Sequence, residues 1–313
     1  VFQASATILA TGGNARLFMF NYHPSCVTGD GYAMGYRAGA ELMNMEFVRV
    51  NMATVYPTVN LLPFGFWQQH PKLYNASGRE FLPDYLPTGA SPAEAMDERG
   101  LARRYFRKDP LSRYLDISLV KEVIAGRASA HDALFLQLPR PDLVDGAVRD
   151  WIEFRGISLG RPMEINVAFL CSNGGFRIGE HGETTIPGLY AAGEVATGYH
   201  GADRLGGHMM ACSQVFGRRA GTRAAKFARE AGMPDVNEGD DTVKSALARI
   251  AGLRSANGNK RPGDIIRSLQ RTTWEGLLAL RSKASINRVL GELQRIGAEE
   301  MPRLAVESAG KLT

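Results

Sequence analysis

Pro187-Gly188-Leu189-Tyr190-Ala191-Ala192-Gly193-Glu194 is the stretch from which the fold is read. Its apolar centre reads as a short buried strand, stopped by Gly193 with an acidic residue at its end. A helix is expected to follow from about Gly207 to Glu230. The same pairing of glycine and strand stands just upstream, at Asn173-Gly174-Gly175-Phe176-Arg177-Ile178. Strand, tight turn and helix in that order predict an α/β fold.

The pattern has a counterpart at the other end of the chain. Residues 5–9 lead into an apolar run that ends in Thr11-Gly12-Gly13, a strand stopped by a glycine turn. Thr28-Gly29-Asp30-Gly31 then precedes Tyr32-Ala33-Met34-Gly35-Tyr36-Arg37-Ala38-Gly39-Ala40, whose small residues suit a closely packed helix. Glu46 to Val50 is a strand candidate. From about Asn51 to Pro162 prolines and aromatics become frequent, with a helical patch at 91–106 and no βαβ alternation. This stretch reads as an insertion. Val236 to Asp241 reads as a linker. Beyond it, Ile286, Val289, Leu290, Leu293 and Ile296 fall at helical spacing, and Asp264 is a candidate N-cap for an earlier helix. These helices form a C-terminal bundle.

Composition narrows the class. The chain has 313 residues, 44% of them hydrophobic, enough for about two domains with a sizeable core. Its 35 glycines exceed the usual share of roughly 7%. No run approaches the ~20 apolar residues of a membrane span. Cys26, Cys171 and Cys212 are sparse and form no CxxC. No zinc or iron–sulfur site and no disulfide framework is therefore expected, and a reducing compartment, the cytoplasm, is. The net charge is +5, and residues 244–313 hold 13 Lys and Arg against 6 Asp and Glu. That surplus suits a solvated helical face or an acidic protein partner rather than nucleic acid.

Each glycine turn alone is a weak signal. Glu194 could accept hydrogen bonds from ribose hydroxyls or simply cap a helix. Taken in order, the turns and the segments His200-Gly201-Ala202-Asp203-Arg204-Leu205-Gly206 and Val215-Phe216-Gly217-Arg218 are specific. The chain resembles the succinate dehydrogenase and fumarate reductase flavoprotein family, which includes L-aspartate oxidase. The resemblance covers most of residues 5–225 and continues more weakly to about residue 300.

The resemblance implies FAD as cofactor and a Rossmann-like domain. The family's GxGxxG strand is not in this sequence, and neither is an initiator Met. The expectation is an N-terminally truncated chain, whose front half of the FAD domain lies elsewhere and which alone holds FAD weakly or not at all. By resemblance, Thr11, Gly12, Gly13 and Asp30 face the adenosine or flavin region, and Gly193 and Glu194 meet ribityl or ribose hydroxyls. Arg204, Gly207, Met209 and Met210 would line the flavin, although His208-Met209-Met210 replaces the family's Asn-Ser-Leu. His200 and Arg204 match a substrate-binding His and Arg. Arg107 or Arg113 would be the Arg that passes a proton. Asn51 and Leu170 stand where the family has histidines.

The expected architecture is thus a partial FAD-binding domain over 1–50 and 166–235, an α+β capping domain over 51–165 and a helical domain over 240–313. The expected activity is hydride transfer between flavin and a small organic acid or related anion other than succinate or fumarate. The alternative is a non-catalytic or electron-transfer flavoprotein subunit of a redox complex. The partner implied is an iron–sulfur subunit, met by Arg267, Arg271 and Arg281, through which any membrane association would run.

Overall fold

The computed structural model describes residues 3–100, 110–233, 241–255 and 258–305. Strand β1 (Thr7–Leu9) leads through the glycine turn to α1 (Asp30–Arg37), β2 (Leu42–Met43) and the long β3 (Val48–Tyr56). The insertion then supplies β4 (Asn60–Leu61), α2 (Phe64–Trp67), β5 (Lys72–Tyr74), α3 (Pro92–Gly100), α4 (Arg113–Ile124), β6 (Leu134–Gln137) and α5 (Gly146–Phe154). Strand β7 (Met163–Ser172) returns to the start of the chain, followed by β8 (Gly175–Arg177), β9 (Leu189–Ala191) and β10 (Ala196–Thr197). Helices α6 (His208–Ala231), α7 (Asp241–Ser255), α8 (Pro262–Thr273) and α9 (Lys283–Arg295) complete it.

Three sheets organise these elements. The two quoted strand-and-turn stretches pair directly, β1 parallel to β9 with Leu9 opposite Ala191. A second sheet has the order β10-β8-β2. The third is antiparallel throughout, in the order β4-β3-β7-β6-β5. Strands β3 and β7 form one long antiparallel ladder from Val48 opposite Ser172 to Tyr56 opposite Glu164.

The packing follows from the residue types. In α1 a Cβ on Gly35 would strike the ring of Phe176, so that helix lies tightly on β8. The main core surrounds the five-stranded sheet: Met52, Trp67, Leu119, Leu134, Val167 and Phe169 are almost wholly inaccessible. Trp274, just after α8, belongs to the same core, and its indole N–H donates to the Val167 carbonyl at 2.8 Å. Gln270 donates to the Arg16 carbonyl at 2.9 Å, and Thr273 bonds the Leu17 carbonyl.

Several expectations are corrected. Asp264 sits inside the first turn of α8, whose N-cap is Arg261, and it pairs with Arg267. On α9, Val289 is buried but Leu290 is 53% exposed, so the apolar stripe is only partly covered. Most of the expected linker lies outside the described residues, and Asp241 opens α7. Of the three arginines expected to meet a partner, Arg271 pairs with Asp132 at 2.6 Å, Arg267 with Asp264, and Arg281 with the Glu46 carbonyl, and the Arg267 and Arg271 side chains stay more than half exposed.

Replacing Trp274 with Ala should cost about 3–5 kcal/mol, through the cavity and the lost indole bond, and the urea midpoint will read it. Glu122 gives a pH test. Bonds from Arg127, Tyr85 and Asn75 hold its carboxyl at about 2, below the ordinary 4.5. A lowered folded-state value means stability fully present above pH 4.5 and lost as pH falls toward about 2. Glu122→Gln should flatten that part of the stability–pH curve.

Candidate functional site

The turn after β1 and the turn after β9 meet. A positive φ of 74° at Gly12 bends the chain sharply, and a Cβ on Gly13 would collide with the Glu194 carboxylate. Thr11 lies against Gly31, next to Asp30 at the first position of α1. The Asp30 carboxylate accepts from the Thr28 hydroxyl at 2.6 Å. Tyr32 of α1 donates to the Glu194 carbonyl at 2.7 Å and fixes the second turn. The turn of Thr11, Gly12 and Gly13 therefore meets the turn of Gly193 and Glu194, with Asp30 near Thr11.

Glu194 carries the charge of this cleft. Its carboxylate accepts from the Ser172 backbone N–H at 2.9 Å, at the end of β7. Burial pushes its carboxyl up, opposed by that bond and by the nearby His23 and Arg204. The buried Asn14 side-chain oxygen, in the turn after Gly13, has no hydrogen-bond partner among the described residues. A glycine-lined cradle with an orphaned acceptor and an acidic residue fits a ligand rich in hydroxyls.

The loop before α6 brings the cations. Asn173 donates to the Ala202 carbonyl at 2.9 Å and so holds that loop against the end of β7. Arg204 Nε is buried with no hydrogen-bond partner among the described residues. Arg49 of β3 bonds the Arg204 carbonyl and lies 3.5 Å from Asp203. Burial lowers the pKa of Arg49, Asp203 opposes that, and Arg204 and Arg99 add to it as like charges. Next to Arg204, Cys171 is a buried thiol pushed up by desolvation and drawn back by that guanidinium. His200, 8% exposed, is lowered to about 4 by burial, then Arg204, then His208, so it is neutral near pH 7.

Arg113 opens α4 and lines a cavity of about 250 Å³ with Arg49, Ser112, Asp116 and Asp203. Arg113 thus lies near the loop of Arg204; Arg107 lies outside the described residues. Gly207 caps α6, Met209 lies in its first turn, and Met210 is 68% exposed. The hydroxyl of Ser213 bonds the Met209 carbonyl and approaches Gly193, so the start of α6 abuts the cleft.

Sequence reasoning missed four residues at this site: His23, Arg49, Arg99 and Ser172. His23 reads as a plain turn residue, yet its Nε2 lies 2.7 Å from the carbonyl of Leu170, where the resemblance expects a histidine. Arg99, only 1% exposed, reaches Asn51 Oδ1 at 3.3 Å, at the other such position, and pairs with Asp116. Arg49 could have been found, because a charge inside an apolar strand candidate asks for a reason. A further basic patch lies outside residues 244–313. A groove along α6 gathers Arg218, Arg219, Arg223, Lys226 and Arg229.

Comparison with known proteins agrees with this geometry. Residues 1–209 match the FAD binding domain family. The chain is 30% identical over 305 residues to a fumarate reductase (CoM/CoB) subunit of Methanothermobacter marburgensis, covering 94% of this chain and 52% of that protein. It is 29% identical over 307 residues to the fumarate reductase flavoprotein subunit of Haemophilus influenzae, covering 94% and 50%. The solved structure of Mycobacterium smegmatis Sdh1 in complex with UQ1 superposes with a TM-score of 0.77 at 26% identity, over 98% of this chain and 50% of that one. The chain thus spans about half the length of the curated relatives it matches. It belongs to the FAD-binding family of the succinate dehydrogenase and fumarate reductase flavoprotein subunits.

Proposed function

We propose that this chain forms the substrate side of an FAD-dependent oxidoreductase that moves a hydride between the flavin and a small anion. The observation that carries the reading is the convergence of Arg204, Arg49 and Arg99 beside a buried neutral His200, next to the Gly13–Glu194 cradle. Arg49 lies 3.5 Å from Asp203 and Arg99 pairs with Asp116, and like charges this close favour an added anion. An anion completes the balance. Guanidinium groups suit a carboxylate because they bond it with two parallel donors.

When bound, FAD supplies the two-electron redox chemistry. The residues of the chain do the rest. Glu194 and the turn at Gly13 receive hydroxyls of the cofactor. Arg204 and His200 hold the anion. Arg113, beside Asp116 on the cavity wall, relays a proton at the reacting carbon. Burial of these groups strengthens their electrostatics by excluding water.

The anion differs from succinate and fumarate in this reading. Asn51 and Leu170 hold the places that the resemblance gives to histidines, and the polar side chains near them, Arg99 and His23, come from other elements. We further infer that the electron partner is an iron–sulfur subunit. The description of relatives as subunits supports it.

Anaerobic bleaching of the FAD-loaded protein across a panel of carboxylic acids and related anions tests the reading. One anion class is expected to bleach the flavin rapidly, and a protein that holds FAD yet responds to none would end the proposal. Arg204→Met should weaken the apparent affinity for that anion by about 10- to 150-fold, the worth of one charge-assisted bond. Arg113→Gln should instead slow the bleaching by roughly 10²–10⁴-fold with anion affinity little changed.

A further inference from the structure

His200, His208 and Cys212 each offer one ligand atom, and these three atoms lie within 4.8 Å of one another. His208 and Cys212 are four residues apart on α6, so they share one face of its first turn. His200 arrives on the preceding loop, with its ring centroid 6.1 Å from that of His208. It is more than nine-tenths buried, yet neither ring nitrogen has a hydrogen-bond partner among the described residues. Buried polar atoms are nearly always satisfied, so an imidazole left this way asks for a ligand. The Tyr199 ring meets its ring edge-on at 4.4 Å. Cys212 is a free, buried thiol. His208 is exposed, which leaves one side of the cluster open.

We propose that His200, His208 and Cys212 bind a zinc-class divalent cation, with a fourth coordination position open to water or an anion. Two imidazoles and a thiolate suit zinc, whereas calcium and magnesium ask for oxygen ligands. Around a tetrahedral zinc the ligand atoms stand about 3.3–3.6 Å apart, from Zn–N near 2.0 Å and Zn–S near 2.3 Å. A rotation of the exposed His208 side chain draws the set in. Two features oppose the ion: the positive end of α6 and the nearby Arg204. The thiolate supplies the compensating negative charge. The balance makes this an exchangeable site that a chelator strips, unlike a closed four-ligand zinc. Three protein ligands with one open position is the pattern of zinc sites that handle a small molecule.

The site shares His200 with the anion pocket of the proposed function, and its test reads metal alone. The untagged chain, stripped by chelator, is titrated with Zn²⁺ and, separately, with Co²⁺ as a spectroscopic probe. The expected result is stoichiometric zinc by elemental analysis and a thiolate-to-cobalt charge-transfer band. Cys212→Ser should abolish that band, and Cys26→Ser should leave it intact. His208→Asn should weaken zinc binding by more than the ~10–100-fold typical of an outer-shell partner. Circular dichroism checks that each variant is folded. Substoichiometric zinc in the unmodified chain, or a cobalt band that survives Cys212→Ser or is lost in Cys26→Ser, overturns the proposal.

Discussion

The ladder between β3 and β7 is the constraint on which the site depends. Eight of the ten residues of β7 are buried, and neighbours on both faces fix its position. A slip of one residue would turn every side chain to the opposite face, so a strand this buried has one register. That register sets Arg49 opposite Cys171, at the end of the sheet where Ser172 meets Glu194. The ladder is irregular between Arg49 and Val50, and such a bulge re-aims a side chain. Here it falls at the one arginine in β3, which reaches the loop of Arg204 and Asp203.

From that end of the sheet the two halves of the site are held by different bonds. The acidic half hangs on backbone groups: the Ser172 N–H to Glu194, and Tyr32 to the Glu194 carbonyl. The cationic half is held by the Asn173 side chain on Ala202 and by Arg49 on the Arg204 carbonyl. Residues 172 and 173 thus connect to both. Burial then does the electrostatic work. It disfavours the charged forms of His200, Glu194 and Cys171 together; the Ser172 N–H, His23 and Arg204 draw Glu194 back and Arg204 draws Cys171 back, whereas Arg204 and His208 push His200 further. The C-terminal helices contribute at a distance, because the Trp274 bond to Val167 secures β7 from its other face.

Much of the cleft was legible in sequence because glycine turns at strand ends are local. Gly12, Gly13, Gly193 and Glu194 each follow a short apolar run, and parallel pairing of those runs brings them together. The cations were less legible. Arg204 was readable only as part of a motif. Arg99 and His23 were not readable at all, since their roles depend on contacts with residues 48 and 147 positions away. The cluster of His200, His208 and Cys212 was hidden for a related reason. It has no CxxC spacing and needs a loop to fold back on the first turn of a helix.

By itself the sequence determined the α/β class, the family, the closely packed α1, the long α6 and the glycine turns, because each rests on short-range pattern and backbone freedom. The tertiary structure alone decided which charges share a site, which of the C-terminal arginines are already paired, and which apolar residues of α9 are covered. The physical reason is range. Turn and strand preferences act over a few residues, whereas ion pairing and burial depend on which distant segments the fold stacks together.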